Sequence, residues 1–154
     1  EDLDDFYSYC SQSGVGEMAG WPAHTSKEQS AAVLQHYLGK PDYIAIYHRR
    51  EEKVIGNIVL RPDEEGGENS RFISFVLNRD YHRRGFMTEA VGATVMQLAI
   101  AGITRIRARC FQHNIASKGL LEKCNFAYIG EGHIHSPWLQ QDFDTYEFVF
   151  EIEE

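Results

Sequence analysis

The sequence predicts an α+β fold, in which helices lie on both sides of a mixed, mostly antiparallel sheet. Helical apolar spacing opens the chain, and β-rich runs separated by turns follow it. The second half then alternates strand, helix, strand, helix and two strands. The 154 residues suit a single domain spanning 1–154. Because the chain opens on Glu1 and not on methionine, we leave open a missing N-terminal strand.

The N-terminal part predicts two helices joined by an irregular loop. Apolar residues at helical spacing indicate a helix over residues 2–9, and Ser-Lys-Glu-Gln at 26–29 is a capping box that starts the second. The loop at 14–25 has no regular period and contains Trp21 and His24. Such a loop can line a binding site, but Trp21 can equally close the core, so the sequence leaves both readings open.

The rest of the chain predicts strands with two further helices. The helix over 88–101 is amphipathic, and Gly102 stands where its C-terminal stop is expected. Residues 104–111 alternate between apolar side chains and arginines, which predicts a strand with one buried face. The remaining predicted elements are strands at 43–48, 54–60, 71–77, 126–129 and 146–152 and a short helix at 116–123.

Charge and composition exclude several classes of protein. The net charge of −8 disfavours binding to a phosphate backbone and suits a cationic partner, so no nucleic-acid partner is expected. No apolar run reaches the ~18–20 residues that span a bilayer, so no membrane partner is expected. Three cysteines without close pairing indicate free thiols, and we expect a cytoplasmic protein, either a monomer or a homodimer.

A basic loop joins the strand at 71–77 to the long helix. The first turn of a helix has unpaired backbone N–H groups and a partial positive charge, so a loop that feeds it makes an anion site. Gly85 allows a phosphate to approach the backbone, and Arg83 and Arg84 add positive charge. An ordinary capped helix with two solvated arginines explains the same residues, and the loop alone does not decide between these readings.

Several segments of the second half form an ordered set of motifs: FVLNRDYHRRGFMTEA at 75–90, IRARCFQHN at 106–114, Ser117, LEKCNF at 121–126, Gly130 and DTYEF at 144–148. Together they resemble the GNAT N-acetyltransferase superfamily, in particular its ribosomal-protein alanine N-acetyltransferase branch. The resemblance implies a GNAT-like α/β/α sandwich with a pyrophosphate loop between a central strand and the long helix. It also implies acetyl-CoA as co-substrate. The chain departs from the family pattern at His82 and Met87.

The resemblance also implies the cofactor contacts, mostly through backbone groups. A splayed strand would hold the pantetheine arm, the loop would bind the pyrophosphate, and an Asn-x-x-Ser pair would contact the thiol end. These residues are Phe75, Val76, Leu77, Arg83, Arg84, Gly85, Phe86, Met87, Thr88, Asn114 and Ser117. The backbone N–H of Val76 is the expected donor to the thioester oxygen.

The leaving thiolate and the attacking amine each need a side chain that transfers a proton. Many relatives protonate the thiolate with a tyrosine, at the position that Leu121 occupies here. The resemblance implies Ser117 as the donor, because the matching serine of the branch is proposed for this role, and an ordinary hydrogen bond to pantetheine or backbone explains Ser117 equally well.

His133 and His135 would share one face of a strand and are the candidate bases, because histidine titrates near neutral pH. Glu131 and Asp142 are the other options, directly or through water, and at least one of the two histidines can be an ordinary solvated side chain. His133 and His135 could instead be two ligands of a metal ion, but no third ligand lies at a spacing typical of metal sites, so no metal is expected.

We therefore expect transfer of an acetyl group from acetyl-CoA to a primary amine by direct attack in a ternary complex. The acceptor is a small molecule or a protein N-terminus, and Trp21, His24 and Trp138 are its candidate contacts. The alternative is a catalytically poor acyl-CoA-binding sensor or regulatory module, which the leucine at 121 keeps open.

Overall fold

The computed structural model describes residues 2–152. Within them one six-stranded sheet has the strand order β1-β2-β3-β4-β6-β5. The helices are α1 (Asp2–Cys10), α2 (Lys27–Tyr37), α3 (Phe86–Ile100) and α4 (Ile115–Lys123), and the strands are β1 (Tyr43–His48), β2 (Lys53–Pro62), β3 (Ser70–Leu77), β4 (Arg105–Phe111), β5 (Ala127–Ser136) and β6 (Gln141–Glu151). Short 3-10 helices occupy Glu17–Ala19 and Arg79–Tyr81.

The predicted fold class is confirmed. β3 and β4 run parallel, whereas the other four neighbouring pairs are antiparallel. The parallel pair needs a long crossover, and α3 supplies it. No helix in residues 2–152 is long and apolar enough to cross a membrane.

The last hairpin is longer than its sequence pattern predicts. β5 continues to Ser136 and β6 begins at Gln141, so the two strands pair from Ala127↔Val149 to Ser136↔Gln141. The added residues are mostly polar and half of them are exposed, which hides a strand from an apolar pattern. Pairing of the two strands with each other supplies the backbone hydrogen bonds that stabilise this extension.

Two apolar clusters hold the layers together. On one face of the sheet, α3 and α4 cover a core that includes Ile58, Ile73, Val91, Ile106 and Phe148. On the other face, a smaller cluster under α1 contains Phe6, Tyr9, Cys10, Val15 and Val54. Both clusters lie beside the central strands, so those strands form a rigid base for the segments that follow them.

The predicted capping box forms, but the Gln29 side chain bonds to the residue before the N-cap and not to the N-cap itself. The Ser26 hydroxyl accepts a hydrogen bond from the Gln29 N–H at 3.2 Å. The Gln29 side chain accepts one from the N–H of Thr25 at 2.9 Å, one residue before the N-cap. Helix α2 therefore begins where the sequence predicts.

The alternation in β4 is confirmed. Ile106, Ala108 and Cys110 are buried under the helices. The arginines on the opposite face pair with acids: Arg105 with Glu151, Arg107 with Asp63, and Arg109 with Glu147. The three cysteines are free thiols, as expected.

Candidate active site

The site begins where β3 and β4 separate. The two strands pair only at Ser70↔Arg105, Arg71↔Ile106 and Phe72↔Arg107. Beyond Phe72, β3 continues to pair with β2 but has no partner on the β4 side. A cleft therefore opens between residues 75–77 and the end of β4, and the backbone of β3 on that side has no strand partner.

Asn78 fixes the end of β3 and the start of the basic loop. Its buried side-chain oxygen accepts from the Asp80 N–H at 2.9 Å and from the Gln12 side chain at 3.0 Å. Gln12 in turn accepts from the Arg79 N–H at 2.8 Å. The Asn78 N–H donates to the Ile55 carbonyl at 2.7 Å. This network joins the loop to the segment after α1 and to β2, so the entry angle of the loop is set by the rest of the fold.

The loop enters α3 in a conformation suited to anions. Arg83 and Gly85 have left-handed backbones, with φ of +62° and +81°, and Gly85 is the N-cap of the 15-residue helix. No side chain caps this end of the helix. Glu89 donates its N–H to the Gly85 carbonyl at 3.0 Å, so the N–H groups of the preceding turn have no partner within the helix. These donors and the helix dipole favour a bound anion.

Neither departure from the family pattern obstructs this loop. The Met87 side chain is buried in the core beneath α3, so it leaves the exposed side of the loop free. The His82 ring nitrogen Nε2 lies 3.0 Å from the Leu77 carbonyl and braces the turn. The Arg84 guanidinium lies over the rings of Phe86 and Tyr81, at 4.9 Å and 5.3 Å from their centroids.

A polar cluster missed by the sequence reasoning supports the loop from the β1–β2 turn. The Tyr81 hydroxyl donates to the Glu51 carboxylate, and the Lys53 ammonium lies 5.2 Å from the Tyr81 ring centroid. The bond from Tyr81 lowers the pKa of the Glu51 carboxyl. Because Glu51 lies 30 residues before Tyr81, only the tertiary structure brings them together.

Asn114 and Ser117 bond to each other at the start of α4. The Asn114 side-chain oxygen accepts from the Ser117 N–H at 3.2 Å, and its amide nitrogen donates to the Ser117 oxygen at 3.1 Å. The hydroxyl oxygen is thus used as an acceptor, and the hydroxyl proton remains available to donate. Leu121 faces the other way and is fully buried in the core.

The structure places the predicted acceptor contacts in two groups. Trp21 and His24 touch, with ring centroids 5.3 Å apart. His24 is buried and its Nδ1 lies 2.6 Å from the Ser30 hydroxyl, and burial lowers the pKa of its imidazole. Trp138 is 75% exposed in the turn after β5. The Ser136 hydroxyl donates to the Gly20 carbonyl at 2.5 Å, so the loop at 14–25 and the last hairpin meet there.

His133 and His135 share one face of β5, as the sequence pattern predicts. Their Nδ1 atoms lie 2.6 Å from Asp144 and 2.7 Å from Asp142. Both imidazoles are well exposed and lie on the α3–α4 side of the hairpin, because their partner residues share a face with the core residue Phe148. Among residues 2–152, no three His, Cys, Asp or Glu side chains converge as metal ligands.

Comparisons with known proteins identify the family. A family profile described as an acetyltransferase (GNAT) domain matches residues 1–127. A search of curated protein sequences gave no significant match.

Solved structures of acetyltransferases share the fold. A GNAT-family acetyltransferase from Bacillus anthracis is 23% identical, with a TM-score of 0.86 over 99% of this chain and 90% of that one. A ribosomal-protein-S5-alanine acetyltransferase from Vibrio fischeri is 17% identical, with a TM-score of 0.69 over 100% and 91%. The microcin C7 self-immunity acetyltransferase, solved with acetyl-CoA and AMP, is 15% identical, with a TM-score of 0.78 over 97% and 87%. Because the profile covers well over half of the sequence, the chain belongs to the GNAT acetyltransferase family.

Proposed function

We propose that this protein transfers an acetyl group from acetyl-CoA to a primary amine by direct attack within a ternary complex. The observation that carries the proposal is the cleft between β3 and β4, which ends at the uncapped start of α3. A pantetheine arm is extended and carries amides, so it suits a strand edge without a partner. A pyrophosphate is anionic and suits free N–H groups at a helix start.

The donor half of the reaction uses mainly backbone groups. Residues 83–88 bind the pyrophosphate, and residues 75–77 hold the pantetheine arm, with the Val76 N–H directed at the thioester oxygen. Asn114 and Ser117 bind near the sulfur. The uncapped N-terminus of α3 and the left-handed Arg83 and Gly85 support the first of these roles. The strand edge left open beyond Phe72 supports the second.

The chemistry needs a base, oxyanion stabilisation and an acid. A base takes one proton from the ammonium, and the neutral amine attacks the carbonyl carbon to form a tetrahedral oxyanion. The C–S bond then breaks to release a thiolate, and the nitrogen loses its second proton to solvent, which returns a proton to the acid that protonates the thiolate. Ser117 protonates that thiolate in our proposal, because its hydroxyl oxygen is held by Asn114 while its proton remains available. The buried Leu121 offers no competing hydroxyl at its position.

His133 and His135 remain our predicted bases. An imidazole that donates Nδ1–H to a carboxylate keeps Nε2 free to accept a proton, and both histidines have such a carboxylate partner. Their strong exposure means that an ammonium proton would reach them through water.

The acceptor is a small-molecule amine or a protein N-terminus. The relative from Vibrio fischeri is named for an alanine of a ribosomal protein, which supports the second class. The net charge of −8 favours the approach of either kind of cation. Trp21 and Trp138 lie in the two segments that meet at Ser136 and are the proposed contacts, whereas the buried His24 orders the loop.

The test combines binding and turnover. Calorimetry with coenzyme A measures the donor site, and release of free thiol from acetyl-CoA in the presence of an amine panel measures transfer. Saturable binding together with amine-dependent thiol release supports the proposal. Binding without turnover on any amine or N-terminal peptide would favour the sensor alternative, and failure to bind coenzyme A would refute both.

A further inference from the structure

Three aromatic rings pack together at the end of β4, on the sheet face opposite α3 and α4. The Phe111 and Phe143 rings are stacked, with centroids 4.2 Å apart and an interplanar angle of 10°. The His113 ring packs against both, with its centroid 5.6 Å from that of Phe111 and 5.9 Å from that of Phe143. A Cβ atom on Gly20 would lie 3.5 Å from the Phe111 ring. The three rings therefore lie on the side of the sheet that the loop at 14–25 covers.

The strand register places these rings across the cleft from Val76. β3 and β4 are parallel and pair as far as Phe72↔Arg107. Four residues further along each strand come Val76 and Phe111, which therefore stand at the same level on the two sides of the cleft. Val76 packs against the cluster under α1, so its side chain lies on the same face as Phe111. Because the proposed pyrophosphate site is at the start of α3, on the other face, this face is left for the amine.

The turn that carries His113 is fixed to its surroundings. Asn114 donates its N–H to the Phe111 carbonyl at 2.9 Å, and Gln112 donates its N–H to the Asp144 carbonyl at 3.0 Å. Asn114 is also the proposed contact at the thiol end of the cofactor. His113 is therefore held between that end of the cleft and the two phenylalanine rings.

The His113 side chain is exposed, so an amine or a water molecule can reach its ring nitrogens. Histidine titrates near neutral pH and suits proton removal. His133 and His135 lie on the α3–α4 side of the last hairpin, beside Asp144 and Asp142. The hairpin stands between them and an amine that approaches on the face of Phe111. His113 is thus the histidine on the side of the amine.

The charged side chains and histidines of the segments that pack against these rings are paired with other groups. On β6, in the loop at 14–25 and in the first turn of α4, these pairs are Asp142 with His135, Asp144 with His133, Glu147 with Arg109, Glu151 with Arg105, Glu17 with the Gly14 N–H, His24 with Ser30, and Lys118 with Glu122. These pairs leave the His113 ring to the two phenylalanines and to molecules that arrive from solvent.

We propose that His113 is the first acceptor of the ammonium proton in the acetyl transfer. An N–H bond of the ammonium breaks, the proton moves to an imidazole nitrogen of His113, and the neutral amine then attacks the thioester carbon. His113 afterwards passes the proton through water to His133, His135 or solvent. This role rests on the proposed function, since it assigns a residue to that same cleft.

The test compares two small amines that differ in whether they need a base. Ethylamine is almost entirely protonated at neutral pH, whereas trifluoroethylamine is mostly neutral, because its fluorine atoms weaken its basicity. His113→Gln should lower kcat/KM for ethylamine on the order of 100-fold and should lower the value for trifluoroethylamine much less. A residue that only shapes the site would affect both amines equally.

The pH profile with ethylamine gives a second readout. The wild-type kcat/KM should fall as the pH drops through the range in which histidine becomes protonated. His113→Gln should instead show a steady rise with pH, because only amine that solvent has already deprotonated reacts. His36→Gln is the matched control, because His36 is also exposed and its ring also packs against an aromatic ring, that of Tyr37, at 5.3 Å. That variant should match wild type in both measurements.

Columns of binding and stability data separate this role from a defect in the fold. The Kd for coenzyme A and the Tm of His113→Gln should equal those of wild type. Equal losses for both amines, an unchanged pH profile, or a larger change in His133→Gln or His135→Gln than in His113→Gln would overturn the proposal. Wild type that releases no thiol with any amine would refute the proposed function itself.

Discussion

Replacing Gly85 with glutamate should separate coenzyme A binding from the stability of the fold. Gly85 has a φ of +81°, a conformation that costs other residues about 1–2 kcal/mol. A Cβ there would meet no atom within 4 Å, so the strain is in the backbone alone. A negative charge at the first turn of α3 interacts favourably with the helix dipole by about 0.3–1 kcal/mol. The free energy of unfolding should therefore fall by only about 1 kcal/mol.

The effect on binding should be much larger. Two like charges about 4 Å apart repel by about 4 kcal/mol at an effective dielectric constant near 20. Gly85 is exposed, so solvent screens part of this repulsion, and the expected rise in Kd for coenzyme A is about 100-fold. Gly85→Ala has the backbone strain without the charge, and its Kd should rise by less than about tenfold.

Calorimetry with coenzyme A and thermal unfolding measure the two quantities. Gly102→Glu is the control, because Gly102 has a φ of +91°, open space around it and a place just after the far end of α3. That variant should lose stability without losing coenzyme A affinity. A folded Gly85→Glu protein that binds coenzyme A as tightly as wild type would refute our placement of the pyrophosphate.

Three further predictions test other parts of the molecule. Ser117→Ala should lower kcat more than coenzyme A affinity, whereas equal losses would make Ser117 a binding residue only. Asn78→Ala should lower the free energy of unfolding by about 1–3 kcal/mol in denaturant titrations, because the Asp80 N–H and the Gln12 amide lose their acceptor; an unchanged midpoint would contradict this. Burial alone would raise the pKa of the Asp63 carboxyl, but the Ser70 hydrogen bond and Arg107 lower it overall. Asp63→Asn should therefore destabilise the protein at neutral pH, and its difference from wild type should shrink as the pH falls below about 4.

The order of helices and strands could be predicted from the sequence because local apolar spacing encodes it. The alternation of Ile106, Ala108 and Cys110 with arginines fixed the buried face of β4, and the structure confirms it. The end of α3 at Gly102 could also be predicted from local sequence, because glycine readily adopts the left-handed conformation required there. The extension of β5 to Ser136 could not be predicted, because its exposed polar residues are held in a strand by pairing with β6.

The donor site was also predictable in part. The loop at 82–87 could be identified because its motif consists of consecutive residues, and because backbone N–H groups bind an anion whatever the side chains are. By itself the sequence therefore determined the family, the fold class and the loop before α3. Only the tertiary structure decided that Met87 points into the core and that Glu51 supports Tyr81. It also decided that His133 and His135 lie beside Asp144 and Asp142, because strand register and side-chain direction arise when distant segments pair and pack.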